Sequence, residues 1–150
     1  VSNAYKEMAD RHQKEFNAFP IMFAFSDKQF EEGMAKLGLS PDDTDKIYKF
    51  GDTGGFYLRT DAKWLREMIE DHGKEMQDAI AADPTGEGFI FDMFDYELAN
   101  HEYIISHCID STLDALGLEP EDIAKDPRLQ HGLKLAKKRQ FEKLEEEDGN

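Results

Sequence analysis

Five side chains that could hold a metal ion or move a proton, Asp92, Asp95, Glu97, His101 and Glu102, fall within eleven positions of the chain. Carboxylate and imidazole groups can ligate a divalent ion or act as a general acid and base, provided the backbone brings them to one point. Glu97 and His101 are four apart, the spacing that puts two side chains on one helical face. Two groups do not complete a metal site, and His107 and Asp110 are the nearest residues able to supply a third and fourth ligand. His101 precedes Glu102, but position 105 is Ile, so the H-E-x-x-H pattern of zinc proteases is absent, as is any Glu-x-x-His pair. The simpler reading of Glu97 and His101 is an i,i+4 contact contributing about 0.2–0.5 kcal/mol. A metal-dependent enzyme built on that pair stands as an alternative function.

Nucleophilic chemistry has less to build on. Cys108 follows His107 directly, and adjacent helical residues do not face each other. Within the apolar run "IISHCI" the thiol reads as a small core residue, and His72 reads as a boundary histidine on an apolar stripe. The glycine-rich "GDTGG" at 51–55 lacks the G-x-x-x-x-G-K-[ST] spacing of a phosphate-binding loop and the helix that must follow it. The sequence therefore assigns no catalytic residue, no cofactor and no metal ligand.

What remains is charge. The net charge is −15, and it is segregated: residues 75–124 carry 13 acids and no Lys or Arg, whereas residues 1–74 and 125–150 are nearly balanced. Such a field repels nucleic acid and anionic membranes and steers the protein toward basic surfaces. Solubility alone requires no segregation, since intermixed lysines would serve it equally well. Asp78, Glu87, Asp92, Asp95, Glu102, Asp110 and Asp114 form an acidic ladder whose carboxylates could stand in for phosphates. The partner so implied is the basic groove of a nucleic-acid-binding protein.

These residues need elements to position them. A chain of 150 residues suits a single domain, with about 143–150 expected to fray as an acidic tail. One cysteine excludes an internal disulfide and suits a reducing compartment. No stretch reads as a signal peptide or approaches the roughly 18 apolar residues of a membrane span, so the expected location is cytoplasmic. Tyr5 to Phe16 reads as a helix capped by Ser2 or Asn3. "IMFAF" at 21–25 reads as buried extended chain, followed by a capping box at Ser26 and Gln29 and a helix ending at Gly38. Ile47 to Phe50 and Phe56 to Arg59 predict one β-hairpin. Leu65, Ile69, His72, Met76 and Ile80 mark the inner stripe of a long helix. A further helix is predicted over 88–103, with Ile90, Phe94, Leu98 and Ile105 inward and Asp92, Asp95 and Glu102 toward water. Short helices follow near 109–116 and 119–125, and a last one starts at Pro127. "LGLSPDD" at 37–43 and "LGLEPED" at 116–122 repeat one stop-start device, a glycine C′ residue, an apolar lock and Pro with acids opening the next helix. Glu119, Glu121 and Asp122 therefore have a structural role.

The segments "YKEMADRHQKEFNAFPIMFAFSDKQFEEGMAKLGL", "GGF", "TGEGFIFDMFDYELANHEY", "LDALG" and "DPRLQHGL" together resemble a family of short acidic proteins of unknown function carried by conjugative elements and phages of gut Firmicutes. The family supplies no catalytic residues to transfer. Elements of that type carry inhibitors of host defence, among them small acidic proteins that block CRISPR nucleases, so the resemblance adds a setting. The sequence thus leads to a predominantly α-helical α+β domain with five to seven helices and one small hairpin. Its expected function is inhibition of a nucleic-acid-processing defence enzyme, in particular a CRISPR nuclease such as Cas9, through a nucleic-acid-mimicking face. An accessory protein-interaction module of a mobile element is the first alternative. Reversal of Asp92, Asp95 and Glu102 to Lys is expected to abolish inhibition and leave the fold intact.

Overall fold

The computed structural model describes residues 2–149. The chain folds as two compact units, one from Val1–Arg11 with Glu75–Asn150 and one from His12–Lys74. Among the described residues are eight α-helices and three short strands, a predominantly helical α+β architecture.

The larger unit is helical. It contains the first part of α1 (Ala4–Asn17), the last part of α3 (Ala62–Ala82), and α4 (Phe89–Asn100), α5 (Tyr103–Ser106), α6 (Asp110–Leu116), α7 (Pro120–Lys125) and α8 (Pro127–Asp148). Its core is built on α4, where Ile90, Met93, Phe94 and Leu98 are wholly out of water. Each such side chain contributes roughly 2 kcal/mol of burial. Leu129, Leu133 and Ala136 of α8, Leu113 and Leu116 of α6, and Tyr5 of α1 close around them. Helix α8 runs to Asp148, through the stretch expected to fray.

The predicted helix over 88–103 is two helices. It stops at Asn100, Glu102 takes a left-handed backbone (φ 53°), and α5 follows for one turn. The break turns Tyr103 into the core and leaves Ile105 77% exposed, so Ile105 does not belong to the inner stripe. It also accounts for eight helices where at most seven are predicted.

The smaller unit is a three-stranded antiparallel sheet, β1 (Ile21–Phe23), β2 (Ile47–Phe50) and β3 (Gly55–Leu58), in the order β1-β3-β2. The hairpin is as predicted, but it is not the whole sheet: Met22 pairs with Phe56 and Ile21 with Tyr57, because the extended 21–23 run needs partners for its backbone groups. Alternation along β2 and β3 gives two apolar faces. Ile47 and Phe56 pack with Met34 of α2 (Asp27–Lys36), while Phe50 and Tyr57 pack with Leu65, Met68 and Phe19. Two expectations fail here. Phe23 and Phe25 are 48% and 78% exposed, so "IMFAF" is extended but not buried, and the inner stripe of α3 runs through Met68 rather than Ile69, which is 52% exposed.

The local stops are as predicted. Leu39 N–H bonds Met34 C=O at 2.9 Å across Gly38 (φ 78°), and Leu118 N–H bonds Leu113 C=O at 2.9 Å across Gly117 (φ 68°), the six-to-one bond of a Schellman motif in both places. The N–H of Glu119 donates to the Asp122 carboxylate at 2.8 Å, a capping role for that acid. At α2, Gln29 N–H donates to Ser26 Oγ at 3.2 Å, but the Gln29 amide oxygen returns to Phe25 N–H rather than to Ser26, so only half of the predicted box forms.

Candidate functional site

All seven residues of the acidic ladder lie in the helical unit, and the structure separates them into two groups. Asp92 is half-buried on α4. Its carboxylate accepts the backbone N–H of Ala4 at 3.0 Å, while Asn3 Oδ1 accepts that of Lys6 at 2.9 Å, so the two side chains together cap α1. Asp95 is half-buried too. It accepts a 2.8 Å hydrogen bond from Gln140 Nε2 and faces Lys143 Nζ at 3.4 Å, both on α8. The expectation that Asp92, Asp95 and Glu102 point together to water therefore holds for Glu102 alone. Asp92→Ala is expected to destabilise the chain by about 1 kcal/mol, the usual cost of a lost cap, measurable by urea denaturation.

The other five are exposed. Asp78 lies on α3. Glu87 sits in the α3–α4 loop, 3.6 Å from His131 Nε2. Glu102 occupies the left-handed turn between α4 and α5, a conformation with a backbone cost of about 1 kcal/mol or more for a residue carrying Cβ. Asp110 and Asp114 are one turn apart on α6, whose opposite side buries Thr112, Leu113 and Leu116. Glu102, Asp110 and Asp114 form no ion pair among the described residues.

The acid/base reading of the opening cluster fares differently. Glu97, on the inner side of α4, is buried at 5% exposure and reaches His101 Nε2 at 3.7 Å, beyond hydrogen-bonding distance. That buried ring nitrogen has no hydrogen-bond partner among the described residues. Burial first, then the nearby Glu97 and Tyr96, push the Tyr5 hydroxyl up to about 12, so this neighbour stays protonated and exchanges no proton at neutral pH. Among the described residues no three His, Cys, Asp or Glu side chains are placed to hold a metal ion. Cys108 is exposed, not a core residue, because His107 also adopts a left-handed backbone (φ 56°) and turns the chain outward there. His72 is half-buried, stacked on His12 at 3.8 Å between ring centroids and bonded to Glu15, in keeping with a boundary histidine.

One carboxylate that sequence reasoning passed over organises this region. Asp83 is buried in the α3–α4 loop and accepts four backbone N–H groups, from Thr85 (3.1 Å), Gly86 (2.9 Å), Gly88 (3.1 Å) and Ile90 (3.0 Å). It is in effect the N-terminal cap of α4 supplied from the preceding loop. Arg128 Nη1 donates to the Ile80 and Asp83 carbonyls at 3.0 and 2.6 Å, tying off the end of α3. The available signal was "DPTG", an aspartate followed by turn residues that leaves its side chain to bond the backbone ahead.

These features define a mainly helical protein with an acidic, lysine-free segment. The chain matches DUF7659, a family of unknown function, over residues 4–139, and belongs to that family. No curated protein and no solved structure matches it significantly. No helix among the described residues is long and apolar enough to cross a membrane.

Proposed function

We propose that this protein inhibits a nucleic-acid-processing defence enzyme, in particular a CRISPR nuclease such as Cas9, by seating carboxylates in the basic groove where nucleic acid would run. One observation carries the reading: a 50-residue segment without Lys or Arg presents Glu102, Asp110 and Asp114 to solvent with no cation paired to them among the described residues. Asp110 and Asp114 are separated by about 6 Å of helical rise, close to two steps of a nucleic-acid strand at about 3.4 Å each. Asp110 has a structural reason to be acidic, since it opens α6. Asp114 has none, and like charges at i,i+4 oppose the helix by a few tenths of a kcal/mol. The setting implied by the family resemblance, conjugative elements and phages of gut Firmicutes, is one in which inhibitors of host defence occur.

The test uses a different triple reversal from the one the sequence first suggests, because a lysine at 92 would remove the carboxylate that caps α1 and a lysine at 95 would place a second cation beside Lys143. Glu102→Lys, Asp110→Lys and Asp114→Lys change exposed positions only. The wild-type chain is expected to block DNA cleavage by purified Cas9. The triple variant should be at least about tenfold weaker, with an unchanged circular dichroism spectrum, and wild-type inhibition should fall as salt rises. Absence of inhibition by the wild type, or equal inhibition by the variant, would overturn the reading.

A second reading has its own observation. Ile105, 77% exposed on α5, with Phe141 and Leu144 exposed on α8, offers apolar surface to a protein partner. An accessory interaction module using that surface would hold its partner in high salt.

A further inference from the structure

The sheet unit carries a cavity of about 340 Å³ on the face that α2 covers, within the size range of small-ligand sites. Its floor is apolar: Ala24, Phe30, Ile47 and Phe56, with the rings of Phe30 and Phe56 5.0 Å apart. Gly33 lets α2 approach the floor closely, since a Cβ there would lie 2.7 Å from the Phe56 ring. The rim is the 51–55 turn, and it is braced: Ala24 N–H bonds Gly54 C=O at 3.0 Å, and Thr53 Oγ1 bonds Phe50 C=O at 2.6 Å.

Two charged side chains line the cavity, Lys49 and Asp52. Lys49 pairs across the ladder with Phe56, so it rises from the same face as the aromatic floor. Nearby cations have partners: Lys46 lies 3.5 Å from Asp43, and Arg59 bonds the Ile47 carbonyl and covers the Tyr48 ring. Lys49 and Asp52 have no ion pair among the described residues. A ligand bearing only a carboxylate would meet Asp52, and one bearing only an ammonium would meet Lys49. We infer that this cavity binds a small zwitterion with a flat apolar group, of the class of an aromatic amino acid, its carboxylate toward Lys49 and its ammonium toward Asp52. The site lies outside the acidic segment and is independent of the inhibitory role proposed above.

The experiment is a titration of the ¹⁵N-labelled full chain with L-phenylalanine, 3-phenylpropionate and 2-phenylethylamine, followed by amide chemical shifts. L-phenylalanine at about 10 mM, enough to fill most of a millimolar site, is expected to move the amides of Gly51, Gly54 and Gly55, and each analogue to bind more weakly. Lys49→Met should weaken phenylalanine binding roughly threefold or more, the size of a part-exposed ion pair, and leave 2-phenylethylamine no weaker. Asp52→Asn should do the converse, sparing 3-phenylpropionate. No movement of the turn amides with phenylalanine would overturn the site. Equal binding of all three compounds would overturn the zwitterion and leave only apolar space.

Discussion

Asp83→Ala is expected to lower the unfolding free energy at pH 7 by about 3 kcal/mol, the penalty for leaving several buried donors without an acceptor. For a chain of this length that is a fall of roughly 6–12 °C in melting temperature. The four N–H groups that meet its carboxylate belong to Thr85, Gly86, Gly88 and Ile90, the stretch that opens α4. α4 supplies the four largest fully buried apolar side chains of its unit, so a change that frays its start reaches the core. The pH dependence separates this mechanism from simple loss of packing. Burial alone opposes ionisation of Asp83, yet the backbone bonds from Gly86, Ile90, Thr85 and Gly88 outweigh it and hold the carboxyl below the ordinary aspartate range. A depressed folded-state value means stability that is fully present above the unfolded-state pKa, about 3.9, and lost as pH falls through the folded value. Urea denaturation across that interval should show the wild type losing stability more steeply than Asp83→Ala below about pH 4, the two curves converging in acid. Parallel curves would mean that the carboxylate charge is not what the loop uses.

Asp83 also marks where the sequence stops being legible. Signals confined to a few neighbouring residues read correctly, apart from the half-formed box at Ser26. Both glycine stops and the Asn3 cap depend on bonds spanning at most a handful of positions, such as Leu39 to Met34, and the hairpin pairs two runs joined by a single short turn. What failed depends on elements far apart in the chain. Strand β1 finds its partner β3 more than thirty residues on, and no periodicity in "IMF" announces that pairing. A lone amphipathic α4 would leave Asp92 and Asp95 in solvent. The residues that engage them, Ala4 at one end of the chain and Gln140 and Lys143 at the other, cannot be seen from that wheel. The exposure expected for Glu102 holds because nothing distant covers it. Ile105 and Cys108 depart from the helical pattern for another reason. Two non-glycine residues, Glu102 and His107, take left-handed backbones that composition does not forecast, and each resets the helical phase.

Gly86→Ala is expected to be the most damaging single methyl addition in the helical unit. A Cβ at Gly86 would lie 2.2 Å from the carbonyl oxygen of Arg128, and the residue sits at φ 91°, where side chains are rarely accommodated. Overpacking against a backbone that cannot rotate away, added to the left-handed cost, amounts to about 4 kcal/mol. Gly117→Ala is the internal comparison. Its φ of 68° carries the same kind of conformational cost, but nothing lies within 4 Å of the added methyl, so about 1 kcal/mol is expected. Gly132→Ala isolates the other contribution. This glycine lies within α8 with no positive-φ penalty, and its Cβ would meet Ile90 Cγ2 at 2.6 Å and the Gly86 carbonyl oxygen at 2.7 Å. Gly86 and Gly132 thus share the point where α8 passes the start of α4, and the absence of both side chains allows that approach. The two substitutions should therefore be less than additive in urea denaturation, because once one has pushed the helices apart the second finds its space already opened. Strict additivity would place the two contacts in separate regions of the fold. The same displacement would draw Gln140 and Lys143 away from Asp95, so these variants should free a carboxylate that the native packing keeps engaged, whereas Gly117→Ala should leave it bound.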